Sequence, residues 1–138
     1  MQQAILCADP LELVVMLYEG LGESIQAARQ ALQAGDIAGR ATSVSRALDI
    51  LAELASSLDR ERGGEIAASL ARLYDFISVR LQEGNFVQQD AAFGEAARVA
   101  ATLLDAWREL RPTPQAEPVV YSAAALEFDP RGMLSACG

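Results

Sequence analysis

Between Leu11 and Arg111 the chain carries 101 consecutive residues without a proline; its five prolines stand at positions 10, 112, 114, 118 and 130. Proline lacks the backbone donor a helix needs and collides with the preceding turn, so a span this long without one is open to helix throughout. Alanine (26) and leucine (18) fill 44 of the 138 positions, and both are strong helix formers. Three turn signals interrupt the span: Gly35-Asp36, the charged run Asp59-Arg60-Glu61-Arg62-Gly63-Gly64, and Gly84-Asn85. They divide it into four segments of about twenty residues, each about 30 Å long as a helix.

Every segment has a helical apolar period. The first places Leu11, Val14, Tyr18, Leu21, Ile25, Ala28 and Leu32 in steps of three and four, and the second Ile37, Ala41, Val44, Leu48, Leu51, Ala55 and Leu58. The third continues with Ala67, Leu70, Tyr74, Ile77 and Leu81, and the fourth with Ala92, Ala96, Val99, Leu103, Ala106 and Leu110. Four such stripes joined by short connections predict an all-α protein, an antiparallel four-helix bundle. Asp9 and Pro10 suit the cap and first position of the first helix, and Asp36 suits the cap of the second.

A second apolar row flanks each stripe. Leu13, Leu17, Gly20, Ser24 and Ala27 accompany the first; Ile50 and Leu54 the second; Ile66, Leu73 and Phe76 the third; Phe93, Ala97, Ala100, Leu104 and Trp107 the fourth. Two readings stand open. Helices of globular bundles bury a wide stripe, which accounts for surplus apolar residues as core; alternatively part of the surplus lines an exposed groove for an apolar partner.

The chain has no histidine, and all 11 of its basic residues are arginine. Imidazole bases, His-bound zinc, histidine-ligated haem and Glu-x-x-His di-iron bundles are thereby excluded, as are a P-loop lysine and a Schiff base. Eleven basic against 19 acidic residues leave a net charge of −8, which argues against nucleic-acid backbones and anionic lipid. The pairs Glu19/Glu23 and Glu61/Glu65 lie one turn apart, but with no base or metal ligand beside them they read as solvated faces. Gly63-Gly64 reads as a structural turn. Cys7 and Cys137 sit far apart in the sequence, as reduced thiols of a cytosolic protein would, although a clasp between them is left open. The longest uncharged apolar run, Leu13 to Tyr18, is too short to cross a bilayer, and no basic flank with an apolar core marks a secretory signal. These features predict a binding protein and not an enzyme, without cofactor or metal.

Beyond Arg111 the character changes to Pro-Thr-Pro-Gln-Ala-Glu-Pro, a stiff extended linker. The expected organisation is a bundle domain over residues 1–111 and a linker with an apolar tail over 112–138. Within the tail, Val119 to Phe128 is too apolar for a solvated peptide and is expected to dock. Its own bundle, a neighbouring chain and a groove vacated for a partner are all open as targets.

Two stretches carry a family resemblance. Asp9-Pro10-Leu11-Glu12-Leu13-Val14-Val15-Met16-Leu17-Tyr18-Glu19-Gly20 is similar to an A-S-P-x-E-L-x-x-M-L-Y-[DE]-G opening. Ser56-Ser57-Leu58-Asp59, Gly63-Gly64-Glu65-Ile66-Ala67, Leu70 and Leu73-Tyr74-Asp75-Phe76 follow an S-S-L-D…G-G-E-I-A-x-x-L-x-x-L-Y-[DE]-[FY] block in order and spacing. Both patterns resemble the FliS family of flagellin export chaperones, and the likeness extends over residues 9 to 110. It implies a cytoplasmic helical bundle that holds the C-terminal segment of flagellin, prevents early polymerisation and delivers it to the flagellar type III export gate. Contact with the gate or with regulatory proteins is open, as is a homodimer; no nucleic acid and no membrane insertion are expected. The apolar tail beyond Pro118 is no part of the motif.

The candidates for lining a partner groove are Leu17, Tyr18, Leu21, Ile66, Leu73, Tyr74, Ile77, Leu104 and Trp107, with core packing as the alternative for each. A different function class is also open: a bundle serving as an adaptor or self-assembling module, its second apolar row buried in a homo-oligomer.

Overall fold

The structure is a computed structural model and describes residues 10–109 together with Tyr121. Four helices follow one another: α1 (Pro10–Ala34), α2 (Ile37–Ser56), α3 (Arg60–Val87) and α4 (Asp90–Glu109). Packing closes a ring, with α1 against α2 and α4, and α3 against α4 and α2. Connections of two or three residues between packed neighbours make the helices run up and down in turn, the expected all-α four-helix bundle. The Asp9 cap, Leu110, the Cys7/Cys137 question and the tail apart from Tyr121 lie outside the described residues.

Two of the three predicted breaks fall where the turn chemistry put them. At the first, Asp36 N–H bonds Ala31 O and Gly35 N–H bonds Leu32 O, closing α1; the Asp36 carboxylate then accepts from Gly39 N–H at 2.9 Å and opens α2. At the second, Asp59 accepts from Arg62 N–H at 3.1 Å. The glycines that follow mark the expected turn: Gly64 (φ 52°, ψ −125°) is non-helical, so α3 is two helical stretches joined across a kink, at a backbone setting that side-chain-bearing residues avoid.

The third break was misplaced by one turn. Helix α3 continues through Gly84-Asn85 to Val87 and stops at Gln88, whose left-handed backbone returns its N–H to Gly84 O. Gly84 serves contact instead of termination: it is buried, and a Cβ there would stand 2.8 Å from two ring carbons of Phe93 on α4.

Core registers follow the predicted stripes on α1 and α3. Leu11, Val14, Tyr18, Leu21, Ile25 and Ala28 are buried, as are Ala67, Leu70, Tyr74, Ile77 and Leu81. On α2 the stripe is rotated by about one residue: Arg40, Val44, Ala47, Ile50, Leu51, Leu54 and Leu58 are buried, whereas Ile37 and Ala41 are exposed. Arg40, a charged residue, occupies one of these inward positions. Its Nε donates to Asn85 Oδ1 at 2.7 Å, so its head is satisfied while its stem packs inside. On α4 the expected Ala92 and Ala96 are buried and Val99 and Leu103 pack against the core, joined by Phe93, Ala100 and Trp107 from the flanking row, while Ala106 is exposed. Residues expected to flank these two helices, Ile50, Leu54, Phe93 and Trp107, are therefore core, and at about 1.5–3 kcal/mol each for the large apolar side chains they contribute strongly to stability.

Candidate functional site

Rotation of α2 has a direct consequence for its surface. Ala41, exposed, and Leu48, partly buried against the core, join Val44 and face Val79, Phe86 and Val87 of α3 across a cleft of about 570 Å³. A second cleft, about 340 Å³, continues along the same seam between Leu48, Leu51, Ala52 and Ala55 of α2 and Ala71 and Tyr74 of α3. Leu48 and Gln82 line both, so the two form one groove along the α2/α3 seam. Ser45, Gln82, Glu83 and Asn85 punctuate its apolar walls at one end, Arg60 and Asp75 at the other.

Helix α3 supplies most of the uncovered apolar surface. Of the seven large exposed hydrophobic residues among those described, six belong to it: Ile66 (64% exposed), Leu73, Phe76, Val79, Phe86 (88%) and Val87; the seventh is Ile37 at the start of α2. Isolated apolar residues on a surface are ordinary, but a set confined to one helix beside an apolar groove marks a place for a partner.

The nine candidates divide cleanly. Ile66 and Leu73 are exposed on α3 and Leu104 is partly buried on α4. Leu17, Tyr18, Leu21, Tyr74, Ile77 and Trp107 are buried, and of these Tyr74 also borders the second cleft. Sequence reasoning missed Val79, Phe86 and Val87 because a break set at Gly84-Asn85 put the last two in a loop. Their helical spacing across that break, Val79 to Phe86 and Glu83 to Val87, was the available signal.

Three of the candidates meet at an aromatic cluster with Tyr121. Tyr18 from α1 and Tyr74 from α3 stand with ring centroids 6.3 Å apart, and Trp107 from α4 stacks on Tyr18 at 6.5 Å and 24°. Tyr121 packs on Trp107 at 5.4 Å and is 3% exposed. Its hydroxyl lies 3.1 Å from that of Tyr18 and also bonds that of Tyr74, while Tyr18 and Tyr74 bond each other. Three phenols, each with one proton and two lone pairs, satisfy one another in a closed ring. Burial pushes the Tyr18 hydroxyl up to about 12 against the bonds from Tyr74 and Trp107, and burial with the neighbouring Tyr18 raises that of Tyr74 further. These phenols stay protonated; the cluster packs and recognises, and carries no proton chemistry near neutrality. Among the described residues no group of three or more Asp, Glu, Cys or His residues is placed to hold a metal ion.

Arginines tie the seams. Arg29 grips Asp90 through Nε and Nη2, both at 2.8 Å, between α1 and the start of α4, where a carboxylate also suits the helix dipole. Arg108 joins Glu19 at 2.8 Å at the other end of the same seam, and Arg80 joins Glu95 at 2.9 Å between α3 and α4.

A helical bundle with an open seam between two helices, exposed apolar residues on one of them and an aromatic cluster has the features of a protein that binds other chains. The family model "Flagellar protein FliS" matches residues 1–114. Similar curated proteins are the flagellar secretion chaperone FliS of Salmonella typhimurium, 32% identical over 112 residues (80% of this chain, 83% of that protein), and that of Campylobacter jejuni, 37% over 102 residues (74% and 80%). The Bacillus subtilis protein of the same name is 30% identical over 108 residues (78% and 80%). The chain belongs to the FliS family of flagellar secretion chaperones. Among the described residues no helix is long and apolar enough to cross a membrane.

Proposed function

We propose that the chain is a cytoplasmic export chaperone whose client is the C-terminal segment of flagellin, with residues 1–111 as the binding bundle and 112–138 as an appended linker and tail. The observation that carries this reading is the α2/α3 groove, bordered by Val79, Phe86 and Val87; Ile66, Leu73 and Phe76 are further exposed apolar residues of the same helix that line neither cleft. An amphipathic client segment lays its apolar face into such a groove as a helix, with anchors at helical spacing. A segment that orders as it binds loses conformational entropy, so useful affinity requires a long contact, and the two clefts together supply one. Holding the segment keeps its assembly surfaces covered until export.

Titration of a flagellin C-terminal peptide against the chain, followed by calorimetry and size-exclusion chromatography, tests this. A one-to-one complex is expected, weakened at least about tenfold by Phe86→Asp or Val79→Asp while the unfolding free energy stays within about 0.5 kcal/mol of wild type, as for other surface changes. A tight homo-oligomer indifferent to the peptide would replace the chaperone reading by self-assembly through the same face.

A further inference from the structure

Tyr121 is held unlike any other buried residue of the bundle. Most core side chains arrive on helices that bury every third or fourth position, whereas Tyr121 follows three prolines in the sequence, at 112, 114 and 118, and among the described residues meets the bundle through an antiparallel bridge with Leu58. Its ring is enclosed by Tyr18, Tyr74 and Trp107, one residue from each of α1, α3 and α4. One aromatic anchor in a preformed pocket, supported by main-chain pairing, is how an extended peptide is recognised by a partner. The pocket also adjoins the groove. Tyr74 gives its hydroxyl to the one and lines the other, and Arg60, two residues beyond the Leu58 bridge, lines the same cleft.

We propose that Tyr18, Tyr74 and Trp107 form an exchangeable binding site for one tyrosine side chain on an extended segment, filled in cis by Tyr121, so that a client occupying the α2/α3 groove engages its Tyr74 end fully only when Tyr121 leaves. The part concerning the client rests on the flagellin reading above; the pocket itself does not. Affinity for the client falls by the fraction of time the pocket is open, so a pocket free about a tenth of the time weakens apparent binding about tenfold. A tethered tyrosine competes at an effective concentration near millimolar, which is why its removal has a measurable effect.

The test uses the full chain carrying Tyr121→Ala, and Trp107, the sole tryptophan, reports on the pocket. Tyr121→Ala is expected to keep its helical circular dichroism and a cooperative melt; loss of cooperative folding makes Tyr121 an ordinary core residue and overturns the proposal. A synthetic peptide of residues 115–128 added in trans should shift Trp107 emission saturably, and the same peptide with alanine in place of its tyrosine should not; no saturable shift overturns exchange. The flagellin C-terminal peptide should bind Tyr121→Ala about tenfold more tightly than wild type. Tyr121→Phe, which keeps the packing and loses the hydroxyl with its bonds to Tyr18 and Tyr74, should give a gain smaller than that of Tyr121→Ala. Equal or weaker binding by both variants overturns the competition. If neither wild type nor variant binds flagellin peptide while the tail peptide is still captured, the flagellin reading falls and the tyrosine site stands.

Discussion

Gly84 of α3 lies flat against the Phe93 ring of α4, close enough that a methyl group at Gly84 would overlap the ring at 2.8 Å. Phe93 is fully buried, so its ring has to move within a packed interior to make room. Gly84→Ala gains up to about 1 kcal/mol of helix propensity, but overpacking costs about 1–3 kcal/mol. The expected result is a net loss of about 1–2 kcal/mol in denaturant unfolding. A variant more stable than wild type would show that the α3/α4 seam opens without cost.

The rotated register of α2 makes an opposed pair of predictions. Ile50 is 1% exposed and Ile37 is 66% exposed, the reverse of their places in the sequence periodicity. Ile50→Ala should cost about 2–4 kcal/mol, within the range for large-to-small core changes, and Ile37→Ala under about 0.5 kcal/mol. Chemical denaturation of the two variants, measured side by side, decides the register.

Alkaline pH should unfold the bundle through its phenols. Tyr18 titrates near 12 in the fold, above its ordinary value of 10.0, so the folded state keeps a proton that the unfolded state loses. Stability is therefore full below about pH 10 and falls as pH rises toward 12, by about 3 kcal/mol from Tyr18 alone. Tyrosinate absorbance and helical circular dichroism should change together in one transition. Tyrosinate appearing well before the helices melt would place the cluster in contact with solvent.

Acid should loosen the α1/α4 seam. The Arg29 guanidinium bonded to Asp90 holds that carboxyl below its usual range, so its contribution is present above about pH 4 and is lost as pH falls through the lowered folded value. Both side chains are partly exposed, at 30% and 39%, and solvent screening limits the pair to about 0.5–1 kcal/mol. Asp90→Asn should lower stability by that amount at pH 7 and erase its difference from wild type at pH 2. An equal difference at both pH values would assign the effect to the helix cap and not to the ion pair.

Helix number, the first two boundaries and the core of α1 and α3 were legible because apolar period and turn chemistry pointed the same way there. On α2 the period held for Val44, Leu48, Leu51 and Ala55 but misled at Ile37 and Ala41, which are exposed, and an inward arginine such as Arg40 reads as surface until its partner Asn85 is seen. The end of α3 was hidden because a glycine that permits close packing is indistinguishable in sequence from one that stops a helix. Of the site, Ile66 and Leu73 were found as surplus apolar residues, whereas Phe86 was lost with the boundary. Tyr18, Tyr74 and Trp107 were singled out one by one, but nothing in their spacing reveals that they converge on Tyr121, 103 residues from Tyr18. Long-range convergence of this kind is a property of the packed chain.

Arg29–Asp90 and Arg108–Glu19 moor α4 to α1, and Arg80–Glu95 moors it to α3, while α2 reaches α3 through the neutral acceptor Asn85. The seams of α4 thus carry ion pairs, while the α2/α3 seam is joined by an arginine to a neutral partner, with Arg60, Asp75 and Glu83 along its clefts. Screening by salt should slacken the α4 seams more than the α2/α3 seam. Under the proposed client reading, the side that yields to a partner is then the one not held by ion pairs, while the α4 side keeps the four helices in order.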